Sequence, residues 1–175
     1  MPTPAPTERL HFRTWQPGDL ELAVGLWGDP EVARYVYVNG HVTRAMIEER
    51  LAREIATQDR SGIQYWPIFL RADGVHVGCC GLRPYRPEER IPELGVHIRP
   101  AFWRQGLAVE AARAAIEYAF TVLDAPAIFA GHNPANAASR SLLAKLGFVY
   151  THDELYPPTG LMHPSYLLRR PAWLS

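Results

Sequence analysis

The chemistry this sequence can do is concentrated in a stretch of backbone and a few polar side chains. Trp103-Arg-Gln-Gly-Leu-Ala108 puts Gly106 directly ahead of Ala108, Ala111, Ala112, Ala115 and Ala119. That spacing marks one face of a helix. Glycine accepts the backbone angles of a sharp turn. The amides of Arg104, Gln105, Gly106, Leu107 and Ala108 are therefore expected to converge at a helix N-terminus without internal partners. Such a terminus suits phosphate or diphosphate, and Glu110 in the first turn suits the helix dipole. An ordinary alanine-rich helix after a glycine turn would give the same letters. A nucleotide P-loop would not, because the lysine followed by Ser/Thr is missing. The two cysteines, Cys79 and Cys80, are adjacent; on a strand they face opposite ways, which argues against a disulfide between them. The seven histidines show no paired ligand spacing, so no metal site is expected.

The elements that must position these groups are legible in outline. Residues 1–8 are proline-rich and polar, a flexible lead. Leu10 to Trp15 alternates as a first strand. Short helices are expected over Leu20–Trp27 and from Asp29-Pro30 to Tyr35. A third begins after Thr43 as N-cap, with Met46, Ile47, Leu51 and Ile55 on its apolar stripe, and ends by Gly62. Strands follow at Tyr65–Leu70, Val75–Tyr85 and Ile91–Ile98. Pro67 argues for an edge or a bulge, and Gly95 for a bulge or a close approach to the backbone. After the alanine-faced helix come a strand at Ala127–Ala130, a helix from Ala137 to Leu146, and strands at Phe148–His152 and Ser165–Arg169. Strand, crossover helix, strand implies a parallel pair with a right-handed connection.

Bulk properties exclude several classes. At 175 residues with 47% hydrophobic content, one domain with an ample core is expected. Eighteen basic and eighteen acidic residues cancel, so no global field draws the chain to nucleic acid or membrane. The N-terminus lacks the apolar core of a signal peptide, and no run approaches transmembrane length. A cytoplasmic protein is the expectation.

Two segments, taken together, carry a family resemblance: Trp103-Arg-Gln-Gly-Leu-Ala108, and Asn133-Pro-Ala-Asn-Ala-Ala-Ser-Arg-Ser-Leu-Leu-Ala-Lys-Leu-Gly-Phe148. In this order and at this separation they resemble the GNAT superfamily of acyl-CoA-dependent N-acyltransferases. The likeness is closest to the branch of ribosomal-protein alanine N-acetyltransferases. Glu93-Leu-Gly-Val-His-Ile98 looks like that branch's central strand, and Tyr166-Leu-Leu-Arg169 with Trp173 like its ending. Trp103 stands where the superfamily usually has glutamine or arginine.

The resemblance implies a single GNAT-like α/β domain over residues 9–173. Its sheet would be mixed, twisted and mostly antiparallel, with helices on both faces and a splayed central parallel strand pair. It implies acetyl-CoA as co-substrate, its diphosphate on the amides of Arg104 through Ala108. The pantetheine arm would pair with backbone groups of Val96, His97 and Ile98, and Asn136 and Ser139 would contact it. The implied reaction moves an acetyl group to a primary amine, on a protein N-terminus or a small molecule, by direct attack. Glu93 is the candidate general base, through a water, and His97 the second candidate. Many relatives protonate the leaving thiolate with a tyrosine where this chain has Leu143; Ser139 is the candidate substitute. Asn136 is also a good N-cap, Glu93 reads equally as a surface carboxylate, and His97 as a core histidine. Cys79 and Cys80 invite an acyl-enzyme but have no basic partner beside them. Trp66, Tyr35, Tyr37 and Tyr85 are candidates for the acceptor pocket or for core and rim. Leu143 keeps a non-catalytic acyl-CoA-binding or regulatory module open as the alternative. A homodimer is compatible with all of this.

Overall fold

The computed structural model describes residues 3–170 and 173. Seven strands form one sheet: β1 (Leu10–Phe12), β2 (Tyr65–Leu70), β3 (His76–Arg86), β4 (Ile91–Ile98), β5 (Ala127–Gly131), β6 (Val149–Tyr156) and β7 (Leu161–Arg169). Their order is β1-β2-β3-β4-β5-β7-β6, and every neighbouring pair is antiparallel except β4 and β5. That parallel pair shares a single registered contact, Glu93 with Phe129. The two strands part beyond it, which is the expected central splay.

Alternation along the strands sends successive side chains to opposite faces, and each face has its own helices. On one side Trp66, Ile68, Cys80, Leu82, Leu94 and Ile98 pack against α4 (Leu107–Thr121). Ala111, Ala112, Ala115 and Ala119 of α4 are fully buried, so side chains of one carbon let the helix lie close to the sheet. Leu143 and Leu146 bring α5 (Ala137–Lys145) to the same core. Cutting Ile116, also fully buried, to alanine would cost about 2–5 kcal/mol. On the other side Tyr65 and Cys79 meet α1 (Leu20–Trp27), α2 (Pro30–Val36) and α3 (Arg44–Ser61) through Trp27, Val32, Ile47 and Leu51. Cys79 and Cys80 thus lie in opposite cores, both as free thiols.

Several local expectations need correction. The first strand stops at Phe12, where its pairing with β2 ends. The N-terminal segment from Thr3 to Glu8 is tied down in part: Pro4 is buried, and the Thr7 hydroxyl donates to Glu110 at 2.6 Å. Of the two readings of Pro67 the edge falls, since β2 lies between β1 and β3, and the bulge is present one residue on, between Ile68 and Phe69. Met46 is exposed, and the buried stripe of α3 runs instead through Ile47, Arg50, Leu51, Glu54 and Gln58. Three polar residues inside that stripe are unusual: Arg50 and Glu54 bear on the site described below, and Gln58 accepts from the Trp66 indole N–H at 3.0 Å. The last two strands are longer than their apolar runs because they pair with each other along a hairpin from Val149 to Arg169. Gly95 marks a close approach and not a bulge. A Cβ there would overlap the ring of Tyr65, while the β3–β4 register runs unbroken past it.

Candidate active site

The turn ahead of α4 has the geometry of an anion cradle. Gly106 takes φ +77° as the N-cap, a left-handed conformation that glycine enters without strain. The first helical bond runs from Glu110 N–H to Gly106 C=O at 3.1 Å. Among the described residues, the amides of Arg104 through Ala108 donate to no protein acceptor. The turn is exposed from Arg104 to Gly106, and no side chain plugs it: Gln105 Nε2 turns back to donate to Ala101 C=O at 3.1 Å. Arg9, a residue the sequence did not single out, stands beside it. Its Nη1 donates to Gln105 C=O at 2.9 Å and its Nε to Glu110 at 2.7 Å. Its charge is matched by Glu110, 2.6 Å from its Nη2, so Arg9 braces the turn and the field there comes from the open amides and the helix N-terminus.

The splay beyond Glu93 exposes backbone, but not at all three residues first named. Arg99 N–H donates to Val77 C=O at 2.9 Å, which fixes the phase of the β3–β4 ladder. By the alternation of antiparallel bonds, His97 and Gly95 turn their backbone groups to β3, while Val96 and Ile98 turn theirs to the gap. The Ile98 carbonyl is taken by the Trp103 indole N–H at 2.7 Å. Val96 N–H and C=O and Ile98 N–H are left facing the splay. His97 is therefore corrected as a backbone contact: its pairing with Cys79 uses those groups.

One cleft of about 250 Å³ gathers the remaining candidates, Glu93, Val96, His97, Asn136, Ser139 and Leu143. Ile98 is buried, and the turn at Arg104–Ala108 lies outside the cleft wall. A ligand using both must be long. Glu93 is half-buried and faces the cleft. Burial pushes its carboxyl above the usual value, against the pull of Arg83. Among the described residues it has no hydrogen-bond partner, and Arg83, its cross-strand neighbour, pairs with Glu54 instead. His97 is a different case. Its Nδ1 accepts from the Trp27 indole at 3.1 Å, and burial holds its pKa well below the usual value. A neutral ring accepting at Nδ1 carries its proton on Nε2, so neither nitrogen is free to take another. His97 is a neutral histidine whose Nδ1 is occupied by Trp27 and helps position it.

At the other wall, Asn136 caps α5, its Oδ1 accepting from Ser139 N–H at 3.0 Å. The Ser139 hydroxyl makes no hydrogen bond among the described residues. Leu143 lines the cleft one turn later. The aromatic candidates divide. Tyr35 and Tyr85 line the cleft, Tyr85 stacked on Phe129 at 3.8 Å. Tyr37 packs near Arg50. Trp66 belongs to the opposite core, edge-on to Tyr118. Sequence reading missed Arg50, Arg83, Glu154 and Tyr156, which complete the cleft. The polar positions inside the α3 stripe were the available signal for Arg50. Tyr156 lies in the hairpin whose length was underread.

An open glycine turn, a splayed parallel pair and a polar cleft at the splay define an acyltransferase class of α/β fold. Residues 9–149 match the GNAT acetyltransferase domain model, and the chain belongs to that family. It is 31% identical over 147 residues to an uncharacterised N-acetyltransferase, YoaA, of Bacillus subtilis (strain 168), covering 81% of this chain and 80% of that one. It is 34% identical over 128 residues to the FsC-acetyl coenzyme A-N(2)-transacetylase of Aspergillus fumigatus, covering 65% and 53%. Among solved structures, the ribosomal L7/L12 alpha-N-protein acetyltransferase RimL shares the fold with a TM-score of 0.80 at 12% identity, over 95% of this chain and 93% of that one.

Proposed function

We propose that the protein transfers an acetyl group from acetyl-CoA to a primary amine by direct attack. The observation that carries this reading is the meeting of an unpartnered carboxylate, Glu93, a free backbone edge at Val96 and a free hydroxyl, Ser139, around one cleft. The residues present fit the co-substrate. The amides of Arg104–Ala108, in a turn braced by Arg9, suit its diphosphate, and the Val96 edge suits an extended amide-bearing arm in the manner of an added strand. The co-substrate supplies an activated acyl carbon.

The chain's residues do the rest. Glu93, its pKa raised by burial, takes a proton from the attacking amine through a water, which a base closer to neutral does well. The Val96 N–H is a fixed donor for the carbonyl oxygen as charge builds there; such donors are worth about 3 kcal/mol. The C–N bond forms, the C–S bond breaks, and Ser139 or water protonates the thiolate. A thiol near pKa ~8.5 needs little help to leave, so Leu143 in place of tyrosine is tolerable. An acyl-cysteine route is disfavoured: Cys79 and Cys80 are fully buried, and burial pushes the Cys79 thiol up to about 12. The N-acetyltransferase names of the relatives support the same reaction.

The test is thiol release from acetyl-CoA over a panel of small amines and peptides. Amine-dependent release is expected. Tight CoA binding without turnover on any of them would favour the non-catalytic module, the reading that Leu143 supports.

A further inference from the structure

Two arginines line the cleft, and their surroundings differ. Arg83 is matched: it pairs with Glu54, which also accepts from Tyr65 N–H at 3.0 Å, and it lies over the Tyr65 ring at 4.0 Å. Arg50, from α3, is only 8% exposed. Among the described residues it has neither a carboxylate within ion-pair distance nor a hydrogen-bond acceptor, and its Nε is buried without a partner. Its guanidinium rests on the Trp27 ring at 4.4 Å, with Tyr37 at 6.0 Å. Aromatic faces stabilise a cation, but they leave the N–H groups unused. A buried charge ordinarily has an ionic or hydrogen-bonding partner.

The carboxylates around the same cleft do not supply one. Glu54 is held by Arg83. Glu154 accepts from Tyr85 at 2.7 Å and from His152 at 3.1 Å. Glu93 is free, but the proposed chemistry assigns it to the amine. The wall thus presents a carboxylate suited to an amine and, from a different element, a cation with an open fork.

We infer that Arg50 receives a carboxylate of the acceptor, so that the substrate is a small amine that also carries a carboxylate. This rests on the acetyltransferase reading above. A guanidinium fork matches a carboxylate in a bidentate way that an ammonium cannot. A cleft of about 250 Å³ that must also admit the acyl end has room for an amino-acid-sized molecule. A polyamine would bring a second cation toward Arg50 and be repelled.

The experiment is a matched-pair assay by thiol release. Amino acids and ω-amino acids are each compared with their carboxamide, beside peptide amides bearing an acidic second residue. Converting an α-carboxylate to the amide makes the neighbouring amine more acidic, so unassisted chemistry favours the amide. Wild-type protein is expected to prefer the best acid over its amide by about 10- to 100-fold in kcat/KM, mostly through KM. Arg50→Met is expected to collapse that ratio toward one, and Arg50→Lys to keep part of it. If Arg50→Met fails to fold, the wild-type ratio alone decides. Equal or better use of the amides, with thiol released, overturns the carboxylate assignment and leaves the transferase intact. A peptide used better than any free amino acid overturns the small-molecule assignment. No thiol release with any amine overturns both readings.

Discussion

The two ends of the site are built from different material. The end proposed for the cofactor is mostly backbone: open amides before α4, a free strand edge at Val96, and one helix cap at Asn136. The acceptor end is side chains from α2, α3, β3, β4, β6 and β7, with Arg50, Arg83, Glu93 and Tyr156 converging across the fold. A backbone site depends on local geometry, and local geometry needs particular residues at fixed short spacing. A side-chain site needs only that distant elements meet, and many sequences can satisfy that.

The contrast can be broken at either end, and the largest effect is expected at the glycine turn. Gly106→Glu puts a carboxylate against the amides and strains a residue at φ +77°. Its Cβ would meet only Arg9 Nη2, at 3.5 Å, so the fold should survive while CoA affinity drops by more than about 100-fold. Calorimetry checks this; undiminished affinity would show that the backbone end is not a diphosphate site.

Glu93→Gln tests the acceptor end. Turnover should fall about 100-fold with CoA affinity retained. Because burial raises the Glu93 pKa, the acid limb of the wild-type rate should lie above the ordinary carboxylate range and disappear in the variant. Stability should move the other way. A carboxylate with a raised folded pKa loses stability as pH rises through that value, so the glutamine variant should melt no lower than wild type at pH 7. A parallel fall in rate and melting temperature would make Glu93 structural.

A smaller effect is expected where the two ends meet. Ser139→Ala should lower turnover by about tenfold or less, since the thiol is a good leaving group near neutral pH. Asn136→Ala removes a helix cap and should cost about 1 kcal/mol of stability, with a modest rise in KM for acetyl-CoA. At the bottom of the scale, Cys79→Ala should leave kcat within about twofold, because a thiol pushed up to about 12 is not a nucleophile at neutral pH. Loss of turnover there, in a folded variant, would reopen an acyl-enzyme.

The same division explains what could be read beforehand. Gly106 with its alanine face, the β4 run Ile91–Ile98 and the Asn136 cap were legible because each is a local pattern. The parallel pairing of β4 and β5 followed from strand, helix, strand, while their splay came only from the family resemblance. The phase of the β4 ladder did not: a resemblance places His97 in the right strand, but only the Arg99–Val77 bond shows that its backbone faces β3. The β6–β7 hairpin was underread because its outer half carries exposed Leu155, Leu161 and Met162 beside polar residues, without clean alternation. Arg50 and Glu54 carried only a weak signal, their place inside the α3 stripe, because charged letters on a helix normally mark its solvated face.

The most direct test is backbone amide NMR of the folded protein during titration with CoA. The expected result is that the largest shifts fall on Gly106, Leu107, Ala108 and Val96, with the α1–α2 region little changed. Saturating CoA that leaves those amides unmoved, with shifts clustered elsewhere, would contradict the placement of the diphosphate and with it the proposed acetyl transfer.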